Sequence, residues 1–320
     1  MKIGFIGLGN AGGKLAGSLL RNGFDLTVRD LDRAIAQPFL DTGAHWAETP
    51  KVMAEAVDMV ITCLPSPAAS RTVMEAEDGI LAGLSAGMIW LEMSTTDEAE
   101  VRRLGEKVLA LGAEPVDCPV SGGCHRAATG NISIFAGCER TTFERALPAL
   151  TAMGRRILHA GPLGAASILK VVTNYLASVH LAALGEALTV AKQSGMDLAT
   201  TYEAIRISSG NSFVHETESQ VILNGSYNIN FTMDLVLKDM GLFQAVGERA
   251  GVPLEISPLV IDIFEDGTAK YGDRAWSSQI VKRLEDACGT DLRAPGFPEE
   301  MVDAEAEEPG AEVTVVSAAA

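Results

Sequence analysis

The feature that most constrains this chain is the order of its first thirty residues: apolar run, glycine turn, helix, second apolar run, acid. Lys2-Ile3-Gly4-Phe5-Ile6 reads as a short buried strand, and Gly7-Leu8-Gly9-Asn10-Ala11-Gly12 follows it as G-x-G-x-x-G. From Ala11 to Leu20 the residues favour a helix, with Leu15, Leu19 and Leu20 at helical spacing. Residues 25–29 read as a second strand that delivers Asp30 at its end. Each glycine has a physical task in such a turn: Gly7 for tightness, Gly9 for backbone approach to a pyrophosphate, Gly12 for close helix–strand packing. The unpaired N–H groups of the helix start then receive the phosphates. The glycines with Leu8, Asn10 and Ala11 are therefore expected to bind a dinucleotide. A carboxylate at Asp30 can accept hydrogen bonds from both ribose hydroxyls of NAD and repels the 2′-phosphate of NADP. Arg29 and Arg33 flank it and partly offset that repulsion, so NAD is favoured while NADP stays open.

A chain of 320 residues is long for one core, and two domains are the natural expectation. A formal charge of −17 argues against nucleic acid as a partner, because neutralising phosphates needs a basic surface. Much of the acidity lies late. After Arg293 there is no Lys or Arg, while Glu299, Glu300, Asp303, Glu305, Glu307, Glu308 and Glu312 follow. With Pro295, Pro298 and Pro309, residues 293–320 read as a solvated, disordered tail. The five cysteines are scattered without C-x-x-C or His-rich spacing, which points to a reduced, cytoplasmic protein without a structural metal. A first strand at Lys2 leaves no room for a signal or transit segment. No uncharged apolar run reaches about 18 residues, so no membrane span is expected.

Strand and helix signals continue to alternate. Residues 58–64 form an apolar run ending at Leu64-Pro65, and residues 88–93 form another before Ser94-Thr95 and a helix near Asp97. Further strands are expected at 114–117, 132–136 and 156–159. Such alternation predicts a mostly parallel, doubly wound sheet with helices on both faces. Ligands in these sheets bind at the carboxyl ends of the strands. Those ends carry residues 7–12, Leu64-Pro65, Ser94-Thr95 and 119–123. Past Gly161-Pro162-Leu163-Gly164 the pattern changes to one long helix over 165–194, too apolar around its circumference for a surface helix. Helices over 198–207, 233–250 and 254–267 follow. The expected organisation is a Rossmann domain over 1–161, an all-α domain over 162–292, and the tail.

Two clusters outside the glycine turn carry chemistry. Asp117-Cys118-Pro119-Val120-Ser121-Gly122-Gly123 ends a strand with a hydroxyl and two glycines. Successive N–H groups there form a nest suited to a carboxylate, although a plain glycine turn has the same composition. Lys170 and Asn174 lie four apart and so share a helix face. A partly desolvated ammonium can exchange a proton with a substrate hydroxyl, which the amide orients. A lysine with its head in water is the competing reading. Lys238-Asp239, on a further helix, is unremarkable alone.

Together, the G-x-G-x-x-G turn, residues 117–123, Lys170-Val-Val-Thr-Asn174 and Lys238-Asp239 resemble the β-hydroxyacid dehydrogenase family over about residues 1–290. The resemblance implies a Rossmann domain joined by a long helix to an all-α domain, and dimers or tetramers formed through the latter. It implies hydride transfer between NAD and a short 3-hydroxy acid, as in 3-hydroxyisobutyrate dehydrogenase or tartronate semialdehyde reductase. By position, Lys170 resembles the catalytic lysine and Asn174 its companion. Ser121, Gly122 and Gly123 resemble the substrate-carboxylate loop. Leu64, Pro65 and Thr95 resemble cofactor contacts, and Lys238 a lysine that reaches the cofactor from the helical domain.

Some positions depart from the family. Ala11 stands where Met is usual, and Ala69 where an Asn often supplies a cofactor hydrogen bond. His125-Arg126 replaces small residues after Gly123. Arg126 either pairs with a second anion on the substrate or points to solvent, and His125 is read as a plain loop residue. Three rival readings share the architecture. A 6-phosphogluconate dehydrogenase typically has His where Thr173 stands. An imine reductase usually replaces the lysine. A non-catalytic NAD-binding module lacks it.

Overall fold

The computed structural model describes residues 1–315 of the chain. It divides into two compact units, one of residues 1–170 with the segment from Asp303 onward, the other of residues 171–302.

The first unit is built on one large sheet. Its strands are β1 (Lys2–Ile6), β2 (Asp25–Arg29), β3 (His45–Trp46), β4 (Met59–Thr62), β5 (Ile89–Glu92), β6 (Glu114–Asp117), β7 (Val120–Ser121), β8 (Ile132–Gly137), β9 (Gly154–Gly161) and β10 (Ala311–Glu312). Helices α1 (Gly12–Arg21), α2 (Arg33–Leu40), α3 (Pro50–Ala54), α4 (Pro67–Glu75), α5 (Glu98–Ala110), α6 (Gly123–Ala128) and α7 (Arg140–Met153) intervene. The sheet order begins β3-β2-β1-β4-β5-β6 and continues through β8, β9 and β10. The first six strands follow the 3-2-1-4-5-6 order of a doubly wound dinucleotide fold, and the order reverses between β1 and β4. All five pairings among them are parallel, while β8 runs antiparallel to β6 and β7.

Alternation along the strands fills both faces. Ile3, Phe5, Met59, Ile61, Ile89 and Leu91 pack on one side, and Ile6, Val60 and Trp90 on the other. Trp90 is fully buried, and its indole N–H donates to Thr62 Oγ1 at 3.0 Å, which removes the cost of burying that polar atom.

Helix α8 (Ala165–Gln193) is 29 residues long, close to the predicted span. By length and composition alone it could cross a membrane, so the expectation of no span rests on the charges within it (Lys170, Glu186, Lys192) and not on its length. The second unit continues through α9 (Leu198–Arg206), α10 (Phe213–Asn224), α11 (Met233–Arg249), α12 (Ile256–Tyr271) and α13 (Lys282–Cys288). It is helical, as expected, with a core of Leu181, Leu188, Ile222, Met233, Val236 and Phe264. The two compact units divide inside α8, after Lys170.

The expected disordered tail is corrected over its described part. Arg293 donates to Glu285 and to the Tyr227 hydroxyl within the helical unit. From Asp303 the chain lies along the sheet unit. Asn131 donates to Asp303 at 2.7 Å, and Arg155 reaches both Glu305 and Glu308 at 2.7 Å. Glu307 pairs with Arg21, Glu312 accepts two bonds from Arg140, and β10 adds in parallel to β9. Seen in sequence the acids form a run without counter-ions; folded, arginines from α1, α7 and β9 meet Glu305, Glu307, Glu308 and Glu312. Residues 316–320, expected in the same tail, lie outside the described residues. Exposed ion pairs contribute little each, and ordering the strap opposes them. Deleting residues 303–320 is therefore expected to cost about 2 kcal/mol and lower Tm by about 4 °C, read by calorimetry. An unchanged Tm would mean the strap is not held.

Candidate active site

The glycine turn behaves as its chemistry requires. Gly7 has φ +98°, and a Cβ there would stand 2.2 Å from the Cys63 carbonyl oxygen. A Cβ on Gly12 would stand 2.0 Å from Gly7 O, so the helix start and the turn touch backbone to backbone. A Cβ on Gly9 would meet nothing within 4 Å. That open approach, beside a helix start whose N-cap residue Ala11 supplies no side-chain hydrogen bond, fits a pyrophosphate. Asp30 closes the site from β2: its Oδ2 accepts the Leu8 N–H at 2.7 Å. The residues present thus fit a dinucleotide, with Leu8, Asn10 and Ala11 in the turn.

Leu64-Pro65 and Thr95 leave adjacent strands, and a buried acid connects their loops. Glu92, at the end of β5, accepts from the Ser94 N–H at 2.9 Å and from its hydroxyl. The same hydroxyl oxygen accepts the Leu64 N–H at 2.7 Å. Burial pushes the Glu92 carboxyl up, opposed by the Ser94 donors. Sequence reasoning missed this residue; the signal was an acid closing an otherwise apolar strand.

Ser121 pairs with Ser133 across β7 and β8, and the chain then turns through Gly122 (φ +127°) and Gly123 (φ +87°), conformations that favour glycine. The segment begins from Asp117, which is fully buried. Its Oδ1 accepts the Gly164 N–H at 2.9 Å and its Oδ2 the Ser167 N–H at 2.7 Å, at the start of α8. Lys170 is 9% exposed, one turn beyond Ser167, which fits the desolvated lysine better than the solvated one. Arg126 stands 3.7 Å from Glu305 of the C-terminal strap.

In the helical unit, Asn174 and Lys238 are brought together by Asp239. Asp239 is 3% exposed; Asn174 Nδ2 donates to its Oδ2, and Lys238 Nζ lies 2.6 Å from its Oδ1. The amide of Asn174 is thereby oriented, with its nitrogen committed to Asp239. Tyr175 stacks on Phe243 with centroids 4.1 Å apart, which fixes α8 to α11 beside Asn174. The Lys-Asp pair that looked unremarkable in sequence is a junction built on a buried acid.

Burial pushes Asp117 up to about 6, against the pull of its two backbone donors. An unfolded aspartate titrates near 4. The folded chain therefore keeps a proton that the unfolded chain has already released between those values. This contribution to stability is full below about pH 4 and is lost as the pH rises to about 6, about 3 kcal/mol in all. The Tm of the wild type minus that of Asp117→Asn is expected to fall across this window and to level off above it. A flat difference would place the titration elsewhere.

A doubly wound sheet with this turn, an acid at the end of β2 and a buried lysine define an NAD(P)-binding oxidoreductase. Residues 2–161 match the NAD binding domain of 6-phosphogluconate dehydrogenase, and residues 164–284 match a second family described as NAD-binding of NADP-dependent 3-hydroxyisobutyrate dehydrogenase. The chain is 33% identical over 293 residues to 2-(hydroxymethyl)glutarate dehydrogenase of Eubacterium barkeri, covering 91% of this chain and 97% of the relative. It is 31% identical over 293 residues to the NAD-dependent L-serine dehydrogenase of Pseudomonas aeruginosa, covering 89% and 98%. The crystal structure of a 3-hydroxyisobutyrate dehydrogenase from Salmonella typhimurium superposes with a TM-score of 0.81 at 27% identity, over 88% of this chain and 99% of that one. The chain belongs to the β-hydroxyacid dehydrogenase family.

Proposed function

We propose that this protein oxidises a short 3-hydroxy acid, of the 3-hydroxyisobutyrate kind, to its semialdehyde with NAD. The observation that carries the reading is the burial of Lys170 at the start of a helix hydrogen-bonded to the strand end that leads into Ser121, Gly122 and Gly123. Those three residues would hold the substrate carboxylate. Lys170 would take the hydroxyl proton during oxidation and return it in reduction. Asn174, its amide nitrogen held by Asp239, would hold the hydroxyl or the lysine amine in line. NAD, when bound, supplies the hydride acceptor; residues 7–12, Asp30, Leu64, Pro65, Thr95 and Lys238 would hold it.

The preference for NAD is part of the proposal. Asp30 sits where the ribose is expected, and the cations beside it are engaged elsewhere. Arg29 donates to the Ala47 carbonyl at 3.2 Å, and Arg33 lies 3.2 Å from the Glu48 carboxylate and over the Trp46 ring. A substrate with a second carboxylate is favoured by Arg126, next to the loop, and opposed by its pairing with Glu305. We place the enzyme in the cytoplasm as a homodimer or homotetramer. Exposed Val190, Met196 and Ile207 on the helical unit support the assembly, which light scattering would test.

The deciding experiment is NADH formation across short 3-hydroxy acids with one or two carboxylates, with NAD and NADP in parallel. Turnover of one or two acids with NAD is the expected result. Silence across the panel with NAD still bound would leave a binding module or another substrate class.

A further inference from the structure

Helix α8 begins without a cap of its own. The residue before it is Gly164, which has no side chain to offer, and the first N–H groups of any helix lack partners within it. Asp117 supplies the cap from the end of β6, 47 residues earlier for Gly164 and 50 for Ser167. The space for its carboxylate exists because residue 137 is glycine: a Cβ there would stand 2.1 Å from Asp117 Oδ1. A negative group at the start of a 29-residue helix is favoured by the helix dipole. Position 164 itself has no room for a capping side chain: its φ is +91°, and a Cβ there would stand 2.6 Å from Arg102 Nε. What the distant cap adds is a connection.

On one side of that connection, residues 118–121 are pinned to the sheet. Cys118 N–H donates to the Glu92 carbonyl at 2.7 Å, Phe135 N–H to that of Pro119 at 3.0 Å, and Ser121 pairs with Ser133. On the other side, Ser167 is one turn, about 4.5 Å along the axis, from Lys170. We infer that Asp117 is a positioning residue whose carboxylate ties the substrate loop to the first turn of α8 and so sets where Lys170 stands. The inference rests on the proposed roles of the loop and Lys170.

Asp117→Asn tests it, because both carboxylate oxygens accept and a carboxamide has only one acceptor to give. The test has two readouts on the full-length chain. Hydrogen exchange followed by mass spectrometry is expected to quicken in both 119–124 and 164–170, with 7–15 unchanged. Faster exchange in 164–170 alone would mean a simple helix cap and would overturn the inference. With a 3-hydroxy acid as substrate, kcat is expected to fall by about 10- to 100-fold, with NAD affinity within about twofold of wild type. An unchanged kcat in a variant of lower Tm would also overturn it. Wild-type silence with every acid would sink the functional reading while the exchange readout still decides the coupling. Asp117→Ser, which keeps one short acceptor, is read in the same way if the asparagine variant does not fold.

Discussion

Replacing Lys170 by alanine is expected to lower kcat by about three orders of magnitude while NAD affinity stays within about twofold. General acid–base catalysis by a positioned side chain contributes typically 10²–10⁴-fold, and nothing else at the start of α8 offers a titratable amine. The dinucleotide contacts, in contrast, lie on residues 7–12 and Asp30, whose geometry owes nothing to Lys170. Lys170→Arg sharpens the experiment. Arginine keeps the charge but does not release its proton in this pH range. If the lysine moves a proton, the arginine variant should be nearly as inactive as the alanine one. If it only attracts the substrate's carboxylate, arginine should restore most of the rate. Titration calorimetry with NAD and steady-state kinetics on the same samples separate these cases. Equal loss of NAD binding and turnover in Lys170→Ala would make the lysine structural.

Much of the fold was legible because it is encoded locally. The β1 run, the glycine turn and Asp30 lie within thirty residues, and the continuous burial of β1, β4 and β5 is announced by near-continuous apolar runs that need no knowledge of partners. Helix α8 announced itself by its uninterrupted apolar span, and its predicted end differs from the observed one by a single residue. Helix α10 escaped because Ser212, His215, Thr217 and Ser219 break the apolar period; His215 is satisfied inside the fold by the Tyr202 carbonyl and the Ser219 hydroxyl.

The candidate site divides in the same way. Ser121–Gly123 and Lys170 could be singled out by type and spacing, but the acids that connect functional segments could not. Asp117 acts on residues 47 and 50 positions away, Asp239 on one 65 positions away, and Glu92 reaches Leu64 through Ser94. A carboxylate's meaning is set by the donors it meets: those of Asp117 and the Asn174 amide at Asp239 are distant in sequence, and Glu92, whose donor Ser94 is local, reaches a distant loop only through it. The C-terminal acids misled for the same reason. Composition argued for a solvated run, since the arginines of α1, α7 and β9 that meet it are dispersed over more than a hundred residues.

The glycine turn offers the sharpest separation of folding from binding, because neighbouring glycines should fail in opposite ways. Gly9→Ala is expected to leave Tm within about 1 °C of wild type, since the added methyl meets nothing within 4 Å. It would occupy the space through which backbone approaches the pyrophosphate, and NAD affinity should fall by about tenfold or more, the equivalent of one lost hydrogen bond to a charged group. Gly12→Ala places its methyl 2.0 Å from the Gly7 carbonyl oxygen and 3.2 Å from Cys63 Cβ. Backbone cannot yield there as a flexible side chain would, so α1 must move away from β1 and β4. Overpacking of this kind costs about 1–3 kcal/mol, and Tm should drop by several degrees before any ligand is added. Calorimetry of the two unliganded variants, followed by NAD titration, reads both effects. A Gly9 variant that unfolds early, or a Gly12 variant as stable as wild type, would contradict the assignment of approach to one glycine and packing to the other.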